Sequence, residues 1–168
     1  MLEIERKFLV TGDEWRTGPS VLIRQGYLSD AAERTVRVRS AGSGAWLTVK
    51  GPTKGATRSE FEYPIDRQDA EELLRLCLQP LIEKYRFKIT EGNLVWEIDE
   101  FLGANKGLVI AEIELRSERQ KFRRPQWLGA EVTYDARFFN SNLRLRPFSK
   151  WKKRDKNWLD SSEKNRRF

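Results

Sequence analysis

The chain has 168 residues, of which 34% are charged, and it carries a net charge of +7 with one cysteine and no histidine. Its length suits one domain with its own hydrophobic core, and the lack of histidine excludes histidine general bases, Ser-His triads and histidine-ligated zinc. A single cysteine excludes a disulfide framework and favours a cytoplasmic protein, and without a long apolar run or a signal-peptide pattern we expect no membrane span.

The first predicted strand covers residues 1–10. Side chains in a strand alternate between two faces, so this segment places Glu3, Glu5 and Lys7 on one face, opposite an apolar one. Taken alone, such a segment is typical of an amphipathic edge strand with a solvated charged side.

The same alternation returns along the chain, at residues 22–28, 36–39, 46–50, 58–63, 82–89, 95–99 and 111–115. In nearly all of these segments the charges fall on a single parity. Together with the first strand, they form a charged face of eight acidic and eight basic residues: Glu3, Glu5, Glu60, Glu62, Glu97, Asp99, Glu112 and Glu114, with Lys7, Arg37, Arg39, Lys50, Arg58, Lys84, Arg86 and Lys88. A sheet built from these strands therefore has one nearly charge-balanced face.

Short helices are predicted between and after the strands from their N-terminal capping residues. The predicted helices cover residues 11–15, 66–78, 117–124 and 135–143. Cys77 falls within the second of these, in a leucine-rich pattern that predicts a buried thiol. About eight strands with a few peripheral helices indicate an α+β fold with a mainly antiparallel sheet.

The C-terminal residues 149–168 are predicted to be a basic tail following a domain of residues 1–148. From Lys150 to Phe168 there are eight basic and three acidic residues, which leaves only +2 for the rest of the chain. The tail is a possible contact for nucleic acid or another polyanion, but an ordinary solvated terminus is the favoured interpretation. Trp151 and Trp158, seven residues apart, are alternatively placed to dock the tail onto the domain.

Sixteen charges on one face suit either an open, solvated sheet or a closed barrel that directs both signs into its lumen. In a lumen, desolvation disfavours charge unless ions or ligands balance it. A divalent cation relieves the repulsion between clustered carboxylates, and guanidinium groups bind phosphate oxygens in a bidentate fork. The pattern thus favours hydrated Mg²⁺ or Mn²⁺ bridging the protein and a polyphosphate.

The ordered motifs resemble those of the CYTH domain, the triphosphate tunnel metalloenzymes. Residues 3–7 are similar to the ExExK signature of this family, and the resemblance extends over residues 1–146 through Arg24-Gln25-Gly26-Tyr27-Leu28, Arg37-x-Arg39, Leu47-Thr48-Val49-Lys50, Glu60-x-Glu62, Glu83-Lys84-x-Arg86, Glu97-x-Asp99, Glu112-x-Glu114 and Glu131-Val132-Thr133. It implies an eight-stranded antiparallel closed β-barrel that binds triphosphate and a divalent metal. The start of the chain is most similar to the short bacterial members, many of which hydrolyse inorganic tripolyphosphate.

On these positions the resemblance implies a metal site, a phosphate site and a proton-transfer pair. The expected metal ligands are Glu3, Glu5, Glu112 and Glu114 for a principal Mg²⁺ or Mn²⁺, with Glu60, Glu62, Glu97 and Asp99 available to a second ion or its waters. Arg37, Arg39, Lys50, Lys84 and Arg86 are expected to bind phosphate. Lys7 is the expected proton-transfer residue, tuned by the Tyr27 phenol if their strands are neighbours, and packing at the rim of the lumen is an equal alternative for Tyr27.

Three functions remain from different classes. A divalent-metal-dependent triphosphatase acting on inorganic tripolyphosphate is favoured. A class IV adenylate cyclase would need an adenine pocket, which the sequence does not identify, and a non-catalytic polyphosphate-binding module has only the basic tail as further support. The expected partner is a triphosphate-containing small molecule rather than a membrane or nucleic acid, and the oligomeric state stays open.

Overall fold

A computed structural model describes residues 2–31, 33–52, 54 and 57–156, except for the side chains of Leu2, Glu3 and Thr57. Trp158 and the rest of the predicted tail beyond residue 156 lie outside the described residues. The strands are β1 (Leu2–Val10), β2 (Ser20–Ala31), β3 (Arg34–Ala41), β4 (Gly44–Lys50), β5 (Thr57–Pro64), β6 (Leu78–Glu91), β7 (Leu94–Phe101), β8 (Val109–Glu114) and β9 (Leu128–Glu131). The α-helices are α1 (Arg67–Leu76) and α2 (Asn140–Leu145), and 3₁₀-helices cover Gly103–Asn105, Ala136–Phe138, Phe148–Lys150 and Lys153–Lys156.

The strands form one antiparallel sheet in the order β5-β4-β3-β2-β6-β7-β8-β1-β9, and β1 also pairs with β5. The α+β class and the mainly antiparallel sheet are therefore confirmed. Complete closure into a barrel is wrong in detail, because β1 and β5 meet at only three residue pairs, from Leu2↔Ser59 to Ile4↔Thr57. One edge of β1 pairs with β8, and β9 occupies the far end of the other edge at Phe8 and Val10, which leaves only the start of β1 for β5.

The strand registers place the predicted charged residues on the concave side of this curved sheet. Residues directly opposite each other in an antiparallel pair share a face, and the pairs include Lys7↔Glu112 between β1 and β8 and Arg86↔Asp99 between β6 and β7. Lys50 lies opposite Glu60 in the same way. The sheet therefore encloses a charged lumen, as the parity of the sequence predicts.

The outer face of the sheet is apolar and is covered in two places. Helix α1 packs over β3 and β4 through Ala70 and Leu74, together with the buried Cys77 that follows the helix. A Cβ on Gly26 would lie 2.6 Å from Cys77 Cβ, so β2 needs a glycine to approach this helix. A second cluster on β1, β7 and β8 forms around Trp96, whose ring contacts Phe8, Phe122 and Trp127 edge to face.

The C-terminal segment, residues 136–151, packs against one end of the tunnel. Leu9, Ile82, Phe101 and Ile110 lie on the same parity as the charged lumen residues of their strands, and they share one buried cluster with Phe138, Leu143, Phe148 and Trp151. Trp151 is buried and its ring contacts Phe138 and Phe148 edge to face. The start of the predicted tail is thus part of the hydrophobic core.

The predicted helices are confirmed in part. Asp66 caps α1 by accepting a hydrogen bond from Gln68 N at 2.7 Å. The predicted helices 11–15 and 117–124 are wrong, because those residues form turns and extended loop, and Trp15 instead buries its ring and donates Nε1–H to Gly12 O. Asp135 caps a 3₁₀-helix that is separated from α2 at Phe139, so the predicted helix 135–143 is broken. No helix in the described part of the chain is long and apolar enough to cross a membrane.

Candidate active site

The lumen contains a cavity of about 870 Å³. Most of its lining is ionisable, which matches the charged face predicted from the alternation of the strands. The charged lining residues are Glu5, Lys7, Arg37, Arg39, Lys50, Arg58, Glu60, Glu62, Arg86, Lys88, Glu97, Glu112, Glu114 and Arg116.

Lys7 joins two of the predicted metal-binding carboxylates. Its Nζ donates hydrogen bonds to Glu5 Oε1 and Glu112 Oε1. Glu112 lies opposite Lys7 on β8, and Glu5 lies two residues earlier on the same face of β1. Burial lowers the pKa of the Lys7 ammonium, but the charges of Glu112 and Glu5 outweigh it and raise the pKa above its ordinary value. Lys7 is therefore a firmly protonated cation in this arrangement.

Arg86 is held by carboxylates on all three of its guanidinium nitrogens. Nε and Nη2 donate to the two oxygens of Asp99, each at 2.6 Å. Nη2 also donates to Glu112 Oε2 at 3.0 Å, and Nη1 donates to Glu97 Oε2. The guanidinium plane is consequently fixed at the wall of the cavity.

Lys84 and Asp99 form an ion pair behind that wall. The side chains of both are only 1% exposed, and neither lines the cavity. Burial raises the pKa of Asp99, but the charges of Arg86 and Lys84 outweigh it, so the pKa lies below its ordinary value. Burial likewise raises the pKa of Glu112, and Lys7, Lys84 and Arg86 together hold it well below the ordinary value.

These contacts define an ion-paired wall, made of Glu5, Lys7, Lys84, Arg86, Glu97, Asp99 and Glu112 on β1, β6, β7 and β8. Each cation in it donates to at least one carboxylate at hydrogen-bond distance. Lys88 lies at its margin, where it pairs with Glu97 at 2.8 Å but is 63% exposed.

The opposite side of the lumen carries the other predicted phosphate-binding residues. Arg39 Nη2 donates to Glu62 at 3.0 Å, and Arg37 Nη2 donates to Thr48 Oγ1 at 3.3 Å. In both arginines Nε is buried and has no hydrogen-bond partner among the described residues. Burial, together with the charge of Arg37, lowers the pKa of Arg39, so the Arg39 guanidinium lacks much of the compensation that Arg86 has.

Lys50 and Glu60 complete the lumen on β4 and β5. Their side chains form an ion pair at 3.0 Å, and Thr48, two residues before Lys50, donates to Glu62 Oε2 at 3.0 Å. The predicted second set of carboxylates, Glu60 and Glu62, therefore lies beside predicted phosphate-binding cations.

Tyr27 lies on β2, which pairs with β3 and β6 and not with β1. The condition attached to its predicted role, that its strand neighbours the strand of Lys7, is therefore not met. Burial raises the pKa of the Tyr27 phenol, and the charges of Arg37, Arg58 and Lys7 oppose this rise only partly. The phenol is a protonated group within the electrostatic reach of Lys7 across the lumen.

Two predicted metal ligands lie at the start of β1 and the end of β8. Glu3 is in β1, opposite Arg58 of β5, but its side chain is outside the described part of the chain. Glu114 lies opposite Glu5 and lines the cavity. Gln25 and Thr48 lie opposite Arg39 and Arg37 on the lumen side of the sheet. The family motifs include both residues, but their lack of charge gave neither a predicted role. Asn140, at the start of α2, lines the cavity and was not predicted.

The carboxylates suit a divalent cation by the chemistry of their donors. Mg²⁺ and Mn²⁺ take oxygen ligands, and Glu5 and Glu112 approach each other closely enough to share the Lys7 ammonium. Among the side chains that the structure describes, no three acidic groups converge into a ready-made cage. The oxygen donors thus fit such an ion, with Glu5 and Glu112 as the nearest pair.

Comparison with known proteins finds one matching family and similar inorganic triphosphatases. The model of the CYTH domain matches residues 1–153. An inorganic triphosphatase of Acetivibrio thermocellus is 48% identical over 152 residues, covering 89% of this chain and 97% of that relative. An inorganic triphosphatase of Nitrosomonas europaea is 37% identical over 150 residues, covering 86% and 98%. The crystal structure of an inorganic triphosphatase superimposes with a TM-score of 0.61 at 34% identity, covering 85% of this chain and 94% of the other.

Proposed function

Because the chain belongs to the CYTH domain family, we propose that it is a phosphoanhydride hydrolase that cleaves inorganic tripolyphosphate to pyrophosphate and phosphate. The observation that carries the proposal is a cavity shared by Arg37, Arg39 and Lys50 with Glu5 and Glu112. Cations at this density match a polyanion, and the carboxylates beside them match its metal counter-ion. Two inorganic triphosphatases that align over nearly their whole length support the choice of substrate.

The cations would bind the triphosphate before any bond is broken. Arg37, Arg39 and Lys50 supply donors on one side, while Arg86 and Lys84 add charge on the other. In phosphoryl transfer most of the catalytic effect comes from positioning and electrostatic stabilisation, since the transition state is loose and spreads charge over the equatorial oxygens. The fixed guanidinium of Arg86 suits this task because it needs no reorganisation during the reaction.

The proposed cofactor is Mg²⁺ or Mn²⁺. Glu5 and Glu112, with Glu3 and Glu114, would hold the principal ion. Glu60, Glu62 and Glu97 would hold a second ion or its waters, whereas Asp99 lies behind the cavity wall and is bound by Lys84 and Arg86. A bound divalent ion neutralises phosphate charge and activates water as the nucleophile. Since the carboxylates of Glu5 and Glu112 already bind Lys7, an ion at this site competes with the Lys7 ammonium.

Lys7 and Tyr27 would serve as proton-bearing groups. The pKa of Lys7 is raised, so its Nζ keeps its proton in this arrangement and would act as a charged hydrogen-bond donor to the leaving phosphate oxygen. The Tyr27 phenol also keeps its proton and adds a donor across the lumen. Both groups would thus act as hydrogen-bond donors toward the phosphate oxygens.

The test is product analysis after incubation with Mg²⁺ or Mn²⁺ and, separately, tripolyphosphate, ATP and thiamine triphosphate. We expect orthophosphate to be released fastest from tripolyphosphate, and the release to be lost in Glu112→Ala. Cyclic AMP and pyrophosphate from ATP would instead establish a class IV adenylate cyclase. Binding of tripolyphosphate without turnover of any of the three would establish a non-catalytic module.

A further inference from the structure

Gln25 is a buried amide without a hydrogen-bond partner. Its side chain is 1% exposed, and neither Nε2 nor Oε1 bonds to any group among the described residues. Buried polar groups in folded proteins are nearly always bonded, and one that is not points to strain or to a ligand. Gln25 therefore needs an explanation that the fold alone does not supply.

The register of β2 places Gln25 on the lumen side of the sheet. It lies opposite Arg39 on β3 and opposite Ile82 on β6. Arg39 lines the charged cavity, while Ile82 belongs to the apolar cluster at the end that the C-terminal segment covers. Gln25 thus lies between the charged lumen and its apolar inner end, directly behind the lining of the cavity rather than in it.

Two neighbouring arginines also have a buried nitrogen without a hydrogen-bond partner among the described residues. Arg39 and Arg37, opposite Gln25 and Tyr27 on β3, each bury an Nε–H that has no partner among the described residues. Of these four buried atoms, Gln25 Nε2, Arg37 Nε and Arg39 Nε are donors. In the ion-paired wall, by contrast, all three nitrogens of Arg86 donate to carboxylates. A surplus of buried donors on one wall matches a ligand rich in acceptor oxygens.

We propose that Gln25 is a substrate-binding residue whose Nε2–H donates to an oxygen of the innermost phosphoryl group, beside Arg39. The inference rests on the proposed function and names a further residue of the same site. A neutral donor fits this position because Arg37 and Arg39 are already two cations side by side. A third positive charge there would be repelled by both guanidinium groups. Gln25 adds a donor for phosphate without adding charge.

The alternative is a purely structural amide, and the two roles predict opposite effects on stability. A buried polar group kept for a ligand destabilises the free protein, so its replacement by an apolar side chain of equal length should stabilise that protein. Asn105 is a matched control: it is also buried, but it accepts from Phe148 N at 2.8 Å and donates to Leu143 O at 3.4 Å.

The experiment compares Gln25→Met, Gln25→Glu and Asn105→Leu in the full-length protein. The measurements are the thermal midpoint without ligand and the KM for tripolyphosphate with Mg²⁺. For Gln25→Met we expect a midpoint at or above that of the wild type and a KM raised about tenfold. For Gln25→Glu we expect a larger rise in KM, because a carboxylate repels phosphate. Asn105→Leu should lower the midpoint and leave the KM unchanged.

The midpoint separates a structural amide from an unbonded one, and the KM tests whether Gln25 contacts the substrate. A KM within about twofold of the wild type in Gln25→Met overturns the proposal whatever the midpoint does, and so does a Gln25→Glu variant that binds as well as Gln25→Met. If the wild type does not hydrolyse tripolyphosphate, the proposed function fails separately. The rise in the wild-type midpoint on adding tripolyphosphate, compared with the rise in Gln25→Met, then tests the binding role by itself.

Discussion

The two sides of the tunnel differ in how their cations are compensated. In the ion-paired wall, Lys7, Lys84 and Arg86 each donate to buried carboxylates. On the opposite wall, Arg37 and Arg39 keep a buried Nε–H without a partner among the described residues. Removing one partner from the first wall would leave a buried charge uncompensated, whereas the second wall is the one that we propose binds the phosphates. Substitutions should affect mainly stability and catalysis on one side and mainly substrate binding on the other.

The largest effect is expected from Glu112→Gln, because Glu112 joins Lys7 to Arg86. Removing one partner of a buried ion pair costs about 3 to 5 kcal/mol of unfolding free energy. We also expect the kcat for tripolyphosphate to fall at least about 100-fold, since the variant misplaces two cations and removes a ligand of the proposed metal. Urea unfolding and initial rates of phosphate release measure the two effects.

Glu100→Gln is the matched control for that variant. Glu100 pairs with Arg16 on the outside of the barrel, at 2.6 Å and partly exposed. Exposed ion pairs contribute about 0 to 1 kcal/mol, so both stability and kcat should stay close to the wild type. A Glu112→Gln protein that is as stable and as active as Glu100→Gln would contradict the role of the ion-paired wall.

A pair of conservative substitutions compares the two walls directly. Arg86→Lys loses the fork to Asp99 and its contacts to Glu97 and Glu112, so we expect a loss of about 2 to 4 kcal/mol in stability. Arg39→Lys loses the contact to Glu62 and the stacking of the guanidinium on Trp46, and its stability should change by about 1 kcal/mol or less. Its KM for tripolyphosphate should rise about tenfold or more, because an ammonium cannot grip phosphate bidentately. Equal stability losses in the two variants would remove the distinction between the walls.

The alternation of residue types was enough to predict which residues face the lumen. Arg37 and Arg39 on β3 and Lys50 on β4 follow directly from side-chain parity within one strand. The contact between Lys7 and Glu112 was not predictable in the same way, because it joins residues 105 positions apart. It depends on the order of the strands in the sheet, which the parity within a strand does not encode.

The failures of prediction have specific physical causes. Gln25 carries no charge, so a search for charged parity overlooks it even though it shares a face with Arg39. Asn140 reaches the cavity through the packing of α2, which no local pattern encodes. At residues 11–15 a good capping signal is overridden because burial of Trp15 imposes a turn.

The ion-paired wall should also make stability depend on pH below neutrality. The pKa values of Asp99 and Glu112 are lowered in the folded protein, so the unfolded chain binds more protons than the folded one as the pH falls. Their contribution is fully present above the unfolded value of about 4.3 for a glutamate and is lost progressively below it. We expect the thermal midpoint of the wild type to drop between about pH 5 and pH 3.

Asp99→Asn and Glu112→Gln should each flatten this pH dependence, since each removes one of the carboxyl groups with a lowered pKa. Glu100→Gln serves again as the comparison, because the pKa of Glu100 is lowered chiefly by its hydrogen bond to the partly exposed Arg16. A wild-type midpoint that stays constant down to pH 3 would show that the buried carboxylates contribute no pH-dependent stability.

The smallest effect is expected from Lys88→Gln, at the margin of the ion-paired wall. Lys88 is 63% exposed and pairs with Glu97 in a high-dielectric environment, so its removal should change stability by less than about 0.5 kcal/mol. Its charge still lines the cavity and can steer a polyanion toward it, which raises the rate of encounter. We therefore expect kcat/KM to fall about twofold at low ionic strength and to match the wild type near 1 M salt, where the screening length is about 3 Å. An equal deficit at both salt concentrations would place Lys88 in direct contact with the substrate, so the ionic-strength series separates an exposed steering charge from the binding residues deeper in the tunnel.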